Sequence, residues 1–348
     1  MAATVLTREA LAARNPRPNI LFILADDMGY GDLSCYGRPD YKTPVLDNMA
    51  RQGMKFMDNY ASAPVCTPTR TAFHSGRYAQ RLEVGLREPL SDAINDIGIP
   101  ENHPTIASLM QKNGYETTLI GKWHLGNVEK FGPNKHGFDE FYGINGSGAD
   151  YFTHKNTVGK VDLWENLVPS KDEGYLTDLF TDRAIKVITK KHVKPFFLAL
   201  QYNAPHWPWD GPEDKNIDHE AAGHMQAGGS QVAYSAMMRR MDAGIGRIVA
   251  QLKKDGQLEN TLIFFLQDNG ACAEAMGREG KDVRADKPTL PPLAEDFIFR
   301  DVRPKRTRAG WPVLSGPGVM PGPGDTFISY GRAWANVSDT PFREYKHW

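Results

Sequence analysis

Residues 18–25, Pro18-Asn19-Ile20-Leu21-Phe22-Ile23-Leu24-Ala25, form an unbroken apolar run that stops at Asp26-Asp27. A short run without polar alternation suits a strand covered on both faces, as in parallel sheets. Two later runs read the same way, Pro195 to Gln201 and Thr261 to Gln267, and Tyr115 to Ile120 is a further strand candidate. Amphipathic helices are expected between them. Thr43-Pro44 opens one that Gly53 closes, with Val45, Leu46, Met49 and Ala50 as its apolar face. Pro104 opens another, with Ile106, Leu109 and Met110 inward and Gly114 as its stop. Thr177 to Lys190 and Gln231 to Asp255 carry longer apolar stripes. The alternation predicts an α/β fold: a mostly parallel, doubly wound sheet with helices on both faces.

Each predicted strand ends on residues that carry chemistry. Asp26-Asp27 leads into Met28-Gly29-Tyr30-Gly31-Asp32. Adjacent carboxylates repel unless a cation lies between them. Oxygen donors suit Ca²⁺ or Mg²⁺ rather than zinc; a solvated turn is the alternative. Lys122 and His124 follow the second strand and point to one side of an extended chain. His206 lies between prolines after the third, where a stiffly held imidazole can pass a proton. Asp268-Asn269 follows the fourth and is another oxygen-ligand pair. In open α/β sheets, ligands bind outside the carboxyl ends of the strands. The four segments are therefore expected to meet there.

A fifth segment, Pro64-Val65-Cys66-Thr67-Pro68-Thr69-Arg70, reads as a helix start with Pro68 in its first turn and Gly76 as its stop. Cys66 then sits at a helix N-terminus, which favours negative charge, and Arg70 lies one turn on along the same face. On residues alone, a structural cysteine on a helix cap is the alternative.

Cys66-x-Pro68-x-Arg70 with Ser75-Gly76-Arg77 resembles the signature of the type I sulfatases, of the alkaline-phosphatase-like superfamily. Thr69 stands where that pattern has Ser, and His74-Ser75-Gly76-Arg77 where it has Leu-Thr-Gly-Arg. Asp26-Asp27-x-Gly29-Tyr30-Gly31-Asp32, Gly121-Lys122-Trp123-His124-Leu125-Gly126, Ala204-Pro205-His206 and Asp268-Asn269 resemble further motifs of the family. The likeness runs from about Pro18 to Lys346. It implies hydrolysis of sulfate monoesters, with Cys66 oxidised by a maturation enzyme to formylglycine, whose hydrate attacks sulfur. A divalent cation, Ca²⁺ with Mg²⁺ as second choice, is implied on Asp26, Asp27, Asp268, Asn269 and position 66. By the same resemblance Arg70 holds the hydrate, Lys122 and Lys346 clamp the sulfate, His206 protonates the leaving alcohol, and His124 assists collapse of the intermediate. Relatives that cleave phosphonate or phosphate esters share the nucleophile and form a rival reading.

The 348-residue chain carries 41 Lys and Arg against 42 Asp and Glu, so no nucleic-acid or anionic-membrane partner is expected. Three cysteines, Cys35, Cys66 and Cys272, make no disulfide framework. No apolar run is long enough to span a bilayer. Residues 1–17 read as an extension without a secretory leader's apolar core, hence cytoplasmic as written, although members of the resembled family are often periplasmic, secreted or lysosomal. Residues 18–348 read as one catalytic domain. Its 272–328 segment reads as a long loop-rich insertion. Residues 81–102 and 127–172 read as loops beside the site. His136, His154 and His192 read as packed or solvated rather than ligating. The chain stops just after Lys346, before the Glu-Gly-Gly turn of the resembled family. Its last strands and C-terminal subdomain are thus expected to be missing, and an inactive metal-binding remnant is a third reading.

Overall fold

The computed structural model describes residues 17–212, 231–273, 285–294, 306–307, 309–316 and 331–348. Strands β1 (Asn19–Ala25), β2 (Glu116–Lys122), β3 (Glu140–Ile144), β4 (Trp164–Glu165), β5 (Val168–Pro169), β6 (Phe196–Gln201) and β7 (Thr261–Gln267) form one seven-stranded sheet. Their order is β5-β4-β3-β2-β6-β1-β7. The pairs β3–β2, β2–β6, β6–β1 and β1–β7 are parallel; β4 and β5 add an antiparallel margin. The described α-helices are α1 (Pro44–Gln52), α2 (Cys66–Ser75), α3 (Ile106–Lys112), α4 (Leu176–Thr189), α5 (Gln231–Lys254) and α6 (Gly331–Ser338), with short 3₁₀ turns in the connections.

Alternation along the strands divides the core between the two faces. Leu21 and Ile23 of β1, Leu198 and Leu200 of β6 and Ile120 of β2 pack with Phe180, Ala184 and Ile188 of α4 and Met237, Met241 and Ile245 of α5. Phe197, Ala199 and Leu119 turn the other way, onto Trp123, Phe138 and Ala107. Phe22 stacks on Phe73 of α2, with ring centroids 4.1 Å apart. Full burial of each such side chain is worth about 1.5–3 kcal/mol, so both layers are needed to hold the sheet.

Several expectations shift. Thr105, not Pro104, caps α3: its Oγ1 accepts from Ser108 N at 3.0 Å, and Ser108 Oγ accepts in return. Leu109 is 55% exposed, and Ala107 takes the inward place. The 127–172 segment contains β3, β4 and β5, with Phe141 and Tyr142 buried. Strand β7 is only half-covered, because it lies at the sheet margin: Leu262 and Phe264 are 46% and 43% exposed. His136, His154 and His192 bond to backbone carbonyls, and His192 also to Glu116. Residues 1–16 and much of 272–328 lie outside the described residues. No helix among the described residues is long and apolar enough to cross a membrane.

Candidate active site

The sheet register gathers the site. Leu24 pairs with Gln201, Ala25 with Gln267, and Gly121 with Gln201. Asp26 N donates to Ala204 O and Asp268 N to Ala25 O, each at 3.1 Å, so the ladders continue into the turns that follow the strands. Gly121 has φ +110°, and a Cβ there would meet the Gln201 carbonyl oxygen at 1.8 Å. Only glycine lets β2 approach β6 this closely just before Lys122. Asp27 and His124 both have φ 58°, a costly conformation for residues with a Cβ. That turn takes His124 off the extended path, so it does not simply share a side with Lys122. Lys122 Nζ donates to Asp26 Oδ2 at 2.5 Å, and His124 Nε2 donates to Leu90 O at 2.8 Å.

Helix α2 brings Cys66 in from the side, and Gly76 ends it with φ 65°. Cys66 Sγ lies 3.5 Å from Asp26 Oδ1, 3.7 Å from Asp27 Oδ1 and 3.5 Å from Lys346 Nζ. Lys346 Nζ also donates to Asp27 at 2.8–2.9 Å. Its backbone N bonds to Ala271 O, and the neighbouring His347 N bonds to Pro64 O. The segment from 331 onward thus delivers Lys346 to the ends of β1 and β7. Asn269 Nδ2 donates to Asp27 Oδ1 at 2.6 Å. His206 Nδ1 donates to the Trp207 carbonyl, which leaves Nε2 facing Asp27 Oδ2 at 3.6 Å.

Asp268 is turned somewhat aside. Its Oδ2 accepts from Arg70 Nε and Nη2 at 3.2 and 2.9 Å, and its Oδ1 from Asp27 N at 3.2 Å. One donor atom from each of Asp26, Asp27, Cys66 and His206 lies within 4.8 Å of every other. His206 thus comes within ligand range, whereas the sequence reading assigned it a proton. Every one of these side chains, Arg70, Lys122 and His124 included, is buried.

A hard divalent cation fits this donor set. Asp26 and Asp27 supply converging carboxylates, and Asn269 Oδ1 is buried without a hydrogen-bond partner among the described residues. The electrostatics agree. Burial raises the Asp27 carboxyl, but Lys346, His206 and Lys122 outweigh it and hold the group below the usual carboxylate range. Burial pushes the Cys66 thiol well up despite Lys122 and Lys346, so it stays neutral. Burial, then Lys122, pushes His124 well down, leaving a neutral ring whose Nδ1 lone pair has no partner among the described residues. Burial and Asp26 raise Asp268 against the pull of Arg70.

Two supports were not read from the sequence. Asp32 forms a buried ion pair with Arg38 at 2.7 Å and accepts from Tyr234 OH at 2.5 Å, bracing the turn after Asp27. Its only signal was its place in the Asp-rich motif. Asp92 and Asp162 flank Gly146 and collect backbone N–H groups from residues 145–147.

Burial and then Asp92 raise the Asp162 carboxyl to about 7. The folded protein therefore holds a proton there that the unfolded chain has released, between an unfolded pKa near 3.8 and about 7. Stability falls as pH rises through that window, by at most about 1.4 kcal/mol per pH unit from this group. Asp162→Asn is expected to flatten that slope in urea titrations at pH 5 and 7. An unchanged slope removes Asp162 as its source.

Residues 18–299 match a family model described as Sulfatase. This chain belongs to the sulfatase family. It is 34% identical over 278 residues to arylsulfatase J of Mus musculus, covering 77% of this chain and 45% of that protein. It is 33% identical over 291 residues to N-acetylgalactosamine-6-sulfatase of Rattus norvegicus, covering 78% and 53%. The chain spans about half the length of these curated relatives. The crystal structure of Ps i-CgsB superposes with TM-score 0.65 at 29% identity, over 92% of this chain and 70% of that one. The mostly parallel sheet with its flanking helices is the sulfatase fold of the alkaline-phosphatase-like superfamily.

Proposed function

We propose that this sulfatase-family chain hydrolyses sulfate monoesters, with position 66 as the nucleophile once a maturation enzyme has converted its cysteine to formylglycine. The observation that carries the reading is the placement of Cys66 Sγ against Asp26, Asp27 and Lys346 at 3.5–3.7 Å. An unconverted thiol there is buried and neutral, which is a poor nucleophile. The converted side chain supplies a hydroxyl to attack sulfur and a second one to expel sulfate.

Asp26, Asp27 and Asn269, with Asp268 beside them, would hold Ca²⁺, which supplies positive charge for the sulfate oxygens. Lys122 and Lys346 already sit on Asp26 and Asp27, ready to bind the anionic group from two sides. Arg70 fixes Asp268 and orients the residue at 66. The Trp207 carbonyl accepts from Nδ1–H and pins the His206 ring, so Nε2 faces the site, and once protonated there it hands that proton to the leaving oxygen. The Nδ1 lone pair of His124 fits a hydroxyl donor at position 66.

The substrate class we favour is a sugar sulfate. One relative is named for an N-acetylgalactosamine sulfate, and Ps i-CgsB has been solved in complex with k-i-k-neocarrahexaose. Sulfate release from aryl and sugar sulfates, by protein co-expressed with a formylglycine-generating enzyme, tests the reading. Peptide mass at position 66 runs alongside. Hydrolysis of aryl phosphonate in preference to any sulfate would overturn it.

His206 gives a finer test. His206→Ala is expected to slow sugar sulfates about 10²–10⁴-fold, while an aryl sulfate with an acidic phenol loses far less. Equal losses on the two substrates would exclude His206 as the leaving-group acid.

A further inference from the structure

Arg70 is gripped from behind by residues to which the proposed chemistry gives no task. Gln201 Oε1 accepts from Arg70 Nη1 at 2.8 Å. Gln201 Nε2 lies 3.0 Å from His74 Nε2. Arg70, Gln201 and His74 each show 0% exposure. An amide nitrogen only donates, so His74 Nε2 accepts and the ring proton sits on Nδ1. Burial, then the charge of Arg70, pushes His74 down to about 3, which keeps the lone pair available. The rings of Phe73, Trp123 and Phe138 enclose the imidazole.

We propose that His74 and Gln201 are positioning residues for Arg70. The His74 lone pair sets which way the Gln201 amide faces. The amide oxygen then sets the guanidinium against Asp268 and the Lys122 carbonyl. Leucine stands at position 74 in the resembled signature, which has no ring nitrogen to meet Gln201. Without the lone pair, only the Arg70 hydrogen bond opposes a flip of the amide. Flipped, its NH₂ faces Arg70 Nη1, donor against donor, and the guanidinium must shift. The inference rests on the reading of Arg70 as a site residue, and its test separates the two.

The test combines nitrogen-15 spectra of His74 with steady-state kinetics. The native ring is expected to be neutral and protonated on Nδ1 across about pH 5–8. In His74→Leu, kcat on a sulfate ester is expected to fall about tenfold with KM within about twofold, and His74→Gln, which restores an acceptor, recovers most of it. Gln201→Glu keeps an oxygen for Arg70 but turns the other toward His74, so the ring is expected to take a second proton at neutral pH. A native ring protonated on Nε2, a neutral ring in Gln201→Glu, or native kcat in His74→Leu overturns the proposal. Should the native protein cleave no sulfate ester, the functional reading fails, and the spectra alone decide the hydrogen-bond chain. They decide it equally if His74→Leu does not fold.

Discussion

Cys66→Ala, produced alongside a formylglycine-generating enzyme, is expected to release sulfate at least ~10⁴-fold more slowly than the native protein, with KM changed little. The argument is steric and electronic. Position 66 is the first residue of α2, and its side chain is fully enclosed by Asp26, Asp27 and Lys346. Alanine removes the attacking atom and leaves the carboxylates, the lysines and the helix unchanged. The loss therefore falls on kcat, and thermal unfolding reports that the variant is folded. Equal rates in the two proteins would remove position 66 from the mechanism, whatever its neighbours.

Asp27→Asn is expected to abolish calorimetric Ca²⁺ binding in the micromolar range and to lower kcat by about 10³-fold or more. Asp27 is the hub of the site. Its carboxylate accepts from Asn269 and Lys346, faces His206 and lies 3.7 Å from Cys66 Sγ. The amide keeps the shape but removes the charge that balances Lys346 in a buried setting. The same change is expected to lower stability even in chelator, because breaking a buried pair costs about 3–5 kcal/mol. Native Ca²⁺ affinity in Asp27→Asn would show that the cation is held elsewhere.

Much of this was legible before any coordinates. The runs at β1 and β6 announced themselves because strands buried on both faces need no polar alternation; β7 carries the same apolar run although the margin leaves it half-covered, β2 showed as a weaker strand candidate, and the ends of all four carried the acids, lysine and histidine. The packing of Phe22 on one face and Leu21 on the other realises what Pro18 to Ala25 implied. Other features needed tertiary context. Strand β3 is short and interrupted by Gly143, so Glu140–Ile144 looked like loop until β2 paired with it. Leu109 fits a helical stripe, yet α3 is only a short helix and its buried contact is Ala107. Helix α6 and the Asp32–Arg38 pair join residues some 300 positions apart through Ser338, which no local pattern encodes. The departure from leucine at His74 was visible, but its link to Gln201 emerged only from the sheet register.

On the proposed function, the enclosure of Cys66 also sets when its conversion takes place. At 0% exposure, the thiol offers no surface to another enzyme once the fold is complete. On the proposed function, oxidation of its carbon has to precede closure, while the nascent polypeptide is still extended. Lys346, which seals the pocket, is translated long after Cys66, leaving an interval during which the precursor can be processed. A maturation catalyst supplied only to finished, purified material would arrive too late.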